Sequence, residues 1–295
     1  MGLPLTGTER LIGAHAPTAG GLARAVLPYL DATGAEVVQV FISNPRGWAL
    51  SAGDPAQDEE FRDGCTRRGV SAFIHASLLV NLGSPTPATV TRSAATLSHA
   101  VQRGVTIGAQ GVVFHAGSAV DEAHAETAFS QVRETLLPIL DAAMAVNGPR
   151  LLVEPTAGGG RSMAARVEDL AAYLDAVDNH PWFGVCLDTC HAWAAGHDLA
   201  TPGGMTEMLD LLVKIGGEDR LRLLHVNDSK DACGSVRDRH QNVGAGSIGE
   251  AAFAELFTHP ATAGVPMVVE TPSVGATGHA ADIALLKRMR AAASS

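Results

Sequence analysis

A short apolar segment rich in β-branched residues recurs along the chain, and most copies end at a polar or ionisable residue. Each segment is followed by a loop and then by a stretch whose apolar residues have a helical spacing. Successive segments lie about 35–40 residues apart, which is the length of one strand–helix unit. Eight such segments are present, at residues 10–15, 36–42, 70–75, 111–115, 150–154, 182–188, 220–226 and 265–270.

The stretches between these segments predict amphipathic helices. In residues 87–104, Val90, Ala94, Leu97 and Val101 fall on one stripe with a period of about 3.6 residues. A first helix over residues 21–32 is less regular, because it contains Pro28. The helical pattern also predicts helices at residues 122–146, 165–178, 203–216, 247–258 and 279–292.

Eight alternations of strand and helix predict an α/β fold, a TIM (β/α)8 barrel that forms a single domain over residues 1–295. The alternative is an open doubly wound sheet. It is disfavoured because no GxGxxG sequence follows the first strand and no phosphate loop with a lysine occurs. The sequence GAGSIG at 244–249 resembles a phosphate loop, but no strand directly precedes it. We therefore interpret it as an ordinary loop.

Composition and charge narrow the function classes. Hydrophobic residues make up 46% of the chain and charged residues 18%, so a large core can form. The chain has 21 Lys and Arg against 31 Asp and Glu, a net charge of −10, which argues against coating nucleic acid or membrane by bulk positive charge. No apolar run reaches the roughly 20 residues that span a bilayer, and no secretory signal is visible. We therefore expect a cytoplasmic protein without membrane contact.

Ionisable residues stand at or beside the C-terminal ends of the third to eighth segments. In a barrel these strand ends converge on one mouth, where the active sites of TIM barrels form. Carboxylates crowded into one cavity would repel each other, and a bound cation removes that repulsion. Imidazole and carboxylate ligands without thiolate suit Zn²⁺, with Mn²⁺ or Fe²⁺ as substitutes. The residues are His75, His115, Glu154, Asp188, His225 and Glu270.

Three residues in the loops form a candidate for a separate cation site. His191 follows Asp188 by three positions, in the segment that leaves the sixth strand. Asp238 and His240 alternate across one residue, which in an extended loop places both side chains on the same side. The histidines on predicted helices or in the turns that flank them are interpreted as surface residues: His99, His124, His180, His259 and His279.

Several segments resemble those of the endonuclease IV family, which are zinc-dependent apurinic/apyrimidinic endonucleases on a TIM barrel. The resemblance covers nearly the whole chain, and GVCLDTCHA and HVNDSK are its most specific parts. The segments are GAHAPTAGG (13–21), FISNPRGW (41–48), VVFHAGS around His115, LLVEPTAGGG (151–160), GVCLDTCHAWAAGHD (184–198), LLHVNDSK (223–230), DRHQNVGAGSIG (238–249) and VVETP (268–272).

The resemblance implies three zinc ions per chain. Three ions and four carboxylates leave a charge of about +2 at the mouth, which attracts a phosphodiester although the chain is acidic. Glu154 would bridge the first and second ions. The implied ligands are His75, His115 and Glu154 for the first ion, Glu154, Asp188, His225 and Glu270 for the second, and His191, Asp238 and His240 for the third.

The resemblance also implies a reaction. A hydroxide that bridges the first two zinc ions attacks the phosphorus on the 5′ side of an abasic site in duplex DNA. The products are a 3′-hydroxyl and a 5′-deoxyribose phosphate, and the third zinc stabilises the departing oxygen. Glu154, as the bridging ligand, and Glu270, which orients the hydroxide, are the expected catalytic residues. The expected partner is duplex DNA with abasic sites, bound by a monomer.

Four residues are expected to contact DNA. By the resemblance, Arg46 enters the base stack, and Leu78 and Leu79 are wedged into the gap left by the flipped abasic sugar. Lys230 in NDSK is a candidate phosphate contact. The sequence departs from the family at Leu78, where well-known members carry tyrosine. Leucine fills the gap but stacks less well on bases.

Two other function classes remain open from the sequence. A sugar isomerase or epimerase on a xylose-isomerase-like barrel also places Glu, Asp and His at strand ends. Such enzymes typically need fewer metal ions, and they have no reason to keep His191, Asp238 and His240 together. A non-catalytic metal-dependent module would bind DNA or protein without turnover.

Overall fold

The computed structural model describes residues 8–273 and 278–294, and its centre is a closed barrel of parallel strands. The hydrogen-bonded order around the barrel is β1-β10-β7-β6-β5-β4-β3-β2, and the predicted TIM barrel is therefore confirmed. The two remaining strands, β8 and β9, form a separate antiparallel pair. The strands are β1 (Ile12–His15), β2 (Val37–Val40), β3 (Ser71–His75), β4 (Gly111–His115), β5 (Arg150–Glu154), β6 (Phe183–Asp188), β7 (Leu221–His225), β8 (Asp228–Ser229), β9 (His240–Gln241) and β10 (Met267–Val269).

Helices surround the barrel. Pro28 lies inside α1, so this helix forms despite the proline. Two predicted helices, over 165–178 and 247–258, are shorter than expected because each includes a 3₁₀ turn. The helices are α1 (Leu22–Thr33), α2 (Pro55–Arg68), α3 (Pro87–Ile107), α4 (Glu122–Ala145), α5 (Leu170–Ala176), α6 (Thr189–Ala194), α7 (Gly204–Gly216), α8 (Glu250–Ala254) and α9 (Ala280–Ala293).

Helix α2 was not predicted from the apolar pattern. Most of its residues are polar, and Phe61 and Cys65 are its only large buried apolar side chains among the described residues. Its start is nevertheless marked locally, because the Asp54 carboxylate accepts hydrogen bonds from the N–H groups of Ala56 and Gln57. Capping and a pair of buried side chains therefore suffice to hold a helix that lacks an apolar stripe.

The barrel interior contains an apolar layer, and directly beyond it a ring of polar side chains. The apolar layer forms its own cluster, separate from the larger core between barrel and helices. Side chains on one strand alternate between faces, so a residue two positions further along faces inward again. The apolar layer comprises Val37, Phe73, Val113, Leu152, Cys186, Leu223 and Val268. The residues two positions further along are Gln39, His75, His115, Glu154, Asp188, His225 and Glu270.

Three histidines that the sequence pattern places on the surface are buried, so that interpretation was wrong for them. His180 and His259 each face an aspartate, with Nε2–Oδ1 distances of 3.2 Å and 3.1 Å to Asp141 and Asp210. His279 accepts a hydrogen bond from Tyr29. No helix within residues 8–273 and 278–294 is long and apolar enough to cross a membrane.

Candidate metal centre

The polar ring lies at the C-terminal end of the barrel and receives one side chain from each of its eight strands. The eighth member is His15, the last residue of β1, which contacts Glu270 with an Nδ1–Oε1 distance of 3.0 Å. Among the described residues, five groups of three His, Cys, Asp or Glu side chains bring their ligand atoms within 4.8 Å of one another, and all draw on this ring or its loops. Two of the five are the sets implied for the first and third ions, and another contains three of the four ligands implied for the second; we name them the first, third and second clusters.

The first cluster consists of His75, His115 and Glu154. Nε2 of His75 lies 3.3 Å from Oε2 of Glu154, and Nε2 of His115 lies 3.5 Å from the same oxygen. Nδ1 of His75 donates to the backbone carbonyl of Ala76 at 2.8 Å. The hydrogen is thereby placed on Nδ1, so in the neutral ring the Nε2 lone pair faces the cluster.

The second cluster consists of Asp188, His225 and Glu270, with Glu154 beside it. Nδ1 of His225 lies 3.0 Å from Oε1 of Glu154, 3.4 Å from Oε2 of Glu270 and 3.8 Å from Oδ2 of Asp188. Since the other oxygen of Glu154 belongs to the first cluster, this carboxylate lies between the two clusters. Asn227 donates to Asp188 at 2.8 Å and accepts from the Glu270 N–H at 2.7 Å, which holds both in place.

The third cluster consists of His191, Asp238 and His240. Nε2 of His191 lies 3.3 Å from Oδ2 of Asp238, and Nε2 of His240 lies 3.0 Å from Oδ1. The other ring nitrogens donate to backbone carbonyls, from His191 to Pro155 at 3.0 Å and from His240 to Glu270 at 3.2 Å. Asp238 is the most exposed member, and the pairing of β9 with β8 carries His240 to the mouth.

The glycine-rich loop at 244–249 encloses a carboxylate of the chain itself. Asp228, on β8, is fully buried. Its oxygens accept five backbone N–H groups at 2.8–3.3 Å, from Ser229, Gly244, Gly246, Ile248 and Gly249. A Cβ at position 246 would lie 2.4 Å from Oδ1 of Asp228, so the carboxylate requires glycine there. The prediction of a loop is therefore confirmed, and its N–H groups are already occupied.

The donor atoms of the clusters fit a divalent cation. Neutral imidazole lone pairs and carboxylate oxygens point at one another, and two acceptors at such distances repel unless a cation lies between them. Nε2 of His240 is buried without a hydrogen-bond partner in the described residues. Cys190 lies beside Asp188 and His240, but burial raises the pKa of its thiol to about 12, which disfavours the thiolate that binds metals. The arrangement therefore offers nitrogen and oxygen ligands, as Zn²⁺ accepts.

The electrostatics of the ring differ between its members: burial lowers the pKa of His115 to about 4, whereas Glu154 and His240 are shifted towards their charged forms. Burial alone would raise the pKa of Glu154, but the charge of His225 and its hydrogen bond outweigh burial and hold the pKa well below its usual value. Burial would lower the pKa of His240, but the negative charges of Asp188 and Asp238 outweigh it and raise the pKa to about 9. Glu154 is thus ionised, and a metal ion competes with a proton for the imidazole of His240.

A cavity of about 370 Å³ opens above the clusters. Its walls include Leu78, Phe41 and Ser273 in addition to members of all three clusters. The loop that carries Leu78 is joined to the loop that carries Arg46, because the Leu78 N–H donates to the carbonyl of Pro45 at 2.9 Å. The loops that carry Leu78 and Arg46 therefore lie side by side, and Leu78 lines the cavity.

The four residues expected to contact DNA are all solvent-accessible. Leu78 and Leu79 are 42% and 36% exposed, which leaves part of each side chain free to contact a partner. The side chains of Arg46 and Lys230 are exposed, and neither has a hydrogen-bond or ion-pair partner within the part of the chain that the structure describes. Lys230 directly follows β8, next to the loop of the third cluster.

Three functional candidates were missed by the sequence analysis: Gln39, Asn227 and Asp228. Gln39 and Asn227 are uncharged, so a search for ionisable strand ends passes over them. The two-residue offset from the apolar layer would have found Gln39, because Val37 precedes it on the same face. Asn227 and Asp228 lie beyond β7, where no periodic pattern predicts which way a side chain points.

The chain is similar in sequence and in structure to known endonucleases. The family model described as xylose isomerase-like TIM barrel matches residues 27–289. The "Probable endonuclease 4" of Streptomyces coelicolor is 54% identical over 279 residues, which cover 95% of each chain. The crystal structure of endonuclease IV from Thermus thermophilus superimposes with a TM-score of 0.81 at 34% identity, over 96% of this chain and 98% of that one.

A likeness to sugar epimerases is also present. The crystal structure of a D-tagatose 3-epimerase-like protein superimposes with a TM-score of 0.72, over 96% of this chain and 98% of that one. Its sequence identity is 15%, so the likeness concerns the barrel and not the chemistry.

Proposed function

Because the chain belongs to the endonuclease IV family of xylose isomerase-like TIM barrels, we propose that it hydrolyses the phosphodiester bond on the 5′ side of an abasic site in duplex DNA. The products would be a 3′-hydroxyl and a 5′-deoxyribose phosphate. The observation that carries this proposal is the presence of three clusters of metal-ligating side chains around one mouth, two of them adjoining Glu154.

The three clusters are proposed to hold one zinc ion each. When bound, the ions supply positive charge to a scissile phosphate and lower the pKa of a water molecule towards neutrality. Glu154 contributes one oxygen to the first cluster and one to the second, so it fixes the separation of their ligands. The third cluster draws His191 from helix α6, Asp238 from the loop before β9 and His240 from β9, so only one of the three lies in a loop as expected.

Glu270 is proposed to orient the attacking water. Its Oε1 is held by Gln39 at 2.6 Å and by His15 at 3.0 Å. Its Oε2 remains directed at the second cluster, 3.4 Å from Nδ1 of His225. A carboxylate oxygen in that position accepts a hydrogen bond from the water and aligns it for attack.

The rim above the cavity is proposed to hold the damaged duplex. Leu78 and Leu79 present apolar surface for the gap left by a displaced sugar, and Arg46 lies on the adjoining loop. Lys230, exposed directly after β8, provides a positive charge for a backbone phosphate. The cavity of about 370 Å³ above the clusters is large enough to receive a displaced sugar.

The sugar isomerase alternative is not favoured. Likeness to epimerases is confined to the fold, whereas the endonuclease relatives share up to 54% identity along the chain. The third cluster also argues for the nuclease, since aldose–ketose chemistry has no use for it.

The decisive experiment combines metal analysis with an abasic-site nicking assay. Purified protein is analysed for zinc, and a labelled duplex with one abasic site is incubated with it, with and without a chelator. We expect three zinc ions per chain, a single cut on the 5′ side, and an end that a DNA polymerase extends. The chelator should stop cutting and added zinc should restore it.

An undamaged duplex of the same sequence is the control. Zinc-loaded protein that leaves the abasic duplex intact, or that interconverts sugars, would contradict the proposal.

A further inference from the structure

Gln39 is the one member of the polar ring on β2, a strand that contributes to none of the three clusters. Its side chain is fully buried between His225 and Glu270. We propose that Gln39 is a positioning residue, which fixes the tautomer of His225 and one carboxylate oxygen of Glu270 so that the second cluster binds its metal ion. This inference rests on the proposed metal sites.

The orientation of the Gln39 amide follows from its neighbours. One end lies 2.6 Å from Oε1 of Glu270, and a carboxylate oxygen can only accept a hydrogen bond. The amide nitrogen must therefore face Glu270, since an oxygen at that distance would repel. Oε1 of Gln39 is thereby turned to Nε2 of His225, at 2.9 Å.

This orientation decides where His225 carries its hydrogen. Oε1 of Gln39 can only accept, so Nε2 of His225 must donate. In the neutral ring the lone pair is then on Nδ1, the atom that faces the carboxylates of Glu154, Glu270 and Asp188 at 3.0–3.8 Å. The ligand atom and the carboxylates consequently converge on one point, which is the geometry that a cation needs.

Gln39 acts on Glu270 through the same amide. Its N–H group and His15 both hold Oε1 of Glu270, which leaves Oε2 for the second cluster. Without the amide, only His15 would restrain this carboxylate. A single side chain therefore sets two of the ligands of the second cluster, and none of its hydrogen bonds within the described residues goes to the first or the third.

The hydrogen bond between Gln39 and His225 also differs from those of three other cluster histidines in the type of acceptor. The outer nitrogens of His75, His191 and His240 donate to backbone carbonyls, which no substitution removes. The outer nitrogen of His225 donates to a side chain. The second cluster can therefore be perturbed selectively, by changing residue 39 alone.

The test is the variant Gln39→Met, which keeps the length of the side chain and removes both hydrogen bonds. Zinc affinity is measured without DNA, by competition with a chromophoric chelator. We expect one of the three zinc ions to bind about 10–100-fold more weakly and the other two to be unaffected, because loss of a partner that orients a ligand typically costs that much affinity. The visible spectrum of the cobalt-substituted protein should change in the same variant.

Gln131→Met is the matched control. Gln131 also donates two hydrogen bonds, to the carbonyls of Leu82 and Ser84 at 2.5 Å and 3.0 Å, but it lies on α4 away from the ring. This variant should keep wild-type zinc affinity and an unchanged cobalt spectrum. If Gln39→Met binds all three ions as the wild type does, or if both variants lose zinc equally, the positioning role is wrong.

A measurement on the wild type covers the case in which Gln39→Met does not fold. Protein labelled with ¹⁵N at histidine and loaded with zinc should show a hydrogen on Nε2 of His225 and none on Nδ1; the reverse would overturn the inference. These measurements are independent of the reaction. A chain that binds zinc as described but does not cut abasic DNA would refute the proposed function and leave the role of Gln39 standing.

Discussion

The apolar layer and the polar ring inside the barrel are built on the same strands, two residues apart, yet they have opposite character. On β5, Leu152 is fully buried in the apolar layer and Glu154 is fully buried in the polar ring. Leu152 fills space that two glycines leave open, since a Cβ at Gly111 or Gly184 would lie 2.9 Å from its methyl groups. Glu154 instead meets histidines from other strands, with His225 at 3.0 Å.

The contrast shows how one barrel separates stability from chemistry. Burial of aliphatic side chains in the lower layer stabilises the fold by roughly 1.5–3 kcal/mol for each residue. The ring gains little from burial, because desolvation of ionised groups opposes it, and its charges are compensated only by partners and cations. A substitution in one layer should therefore leave the property of the other layer intact.

The largest effect is expected from Glu154→Gln. The amide removes the charge that two clusters share, so incision of an abasic duplex should fall by well over about a hundredfold, which is the upper range for loss of an outer partner of a metal ligand. The measurement is the single-turnover nicking rate, with circular dichroism as a check on the fold. A variant that cuts at nearly the wild-type rate would show that the bridging assignment is wrong.

Leu152→Ala tests the other half of the comparison on the same strand. Truncation of a fully buried leucine should lower the free energy of unfolding by about 2–5 kcal/mol, because it leaves a cavity that the strands cannot close. Denaturant titration measures this loss, and zinc content should stay at the wild-type value. If zinc is lost while the protein is still folded, the two layers are coupled.

The variant His191→Ala tests the third cluster separately from the other two. His191 belongs to the third cluster and is 3% exposed, on the short helix α6 that follows β6. Its removal should lower the zinc content by about one ion per chain, since the two remaining ligands of the cluster cannot enclose an ion. Elemental analysis provides the count, and an unchanged count would reject the third site.

The variant Leu78→Tyr tests the rim of the cavity, where the side chain is exposed and not buried. If Leu78 occupies the gap beside an abasic sugar, an aromatic ring there should stack on a base and tighten binding. The gain should be below about 1–3 kcal/mol, the range measured for removal of a complete stacking partner. Binding of an abasic duplex whose scissile phosphodiester is replaced by a hydrolysis-resistant linkage isolates this step, with the zinc-loaded protein otherwise unchanged. Equal or weaker binding would count against the wedge.

The strand ends could be predicted closely from the sequence. The predicted segments at 111–115 and 150–154 match β4 and β5 residue for residue, because an abrupt change from aliphatic to ionisable residues marks where each strand meets the mouth. The convergence of His115 and Glu154 then follows from barrel geometry alone, since parallel strands present their ends on one side.

Other features depended on contacts that the local pattern does not contain. Burial of His279 requires Tyr29, which lies 250 residues earlier in the chain. The importance of Gln39 emerges only when His225 and Glu270 are placed around it. A periodic pattern predicts which face a residue takes, but not which distant polar group will satisfy it.

Because the glycine-rich loop encloses Asp228, the backbone N–H groups of this loop have a carboxylate of the chain itself as their hydrogen-bond acceptor. Five N–H groups are satisfied by an anion tethered to the chain, so they are not left unpaired when dissolved metal is withdrawn. Because β8 also pairs with β9, the backbone of His240 is held beside Ser229, next to this loop. The loop at 244–249 is therefore ordered when the chain folds. Binding of zinc to the folded protein then does not include the loss of conformational entropy that ordering this loop requires.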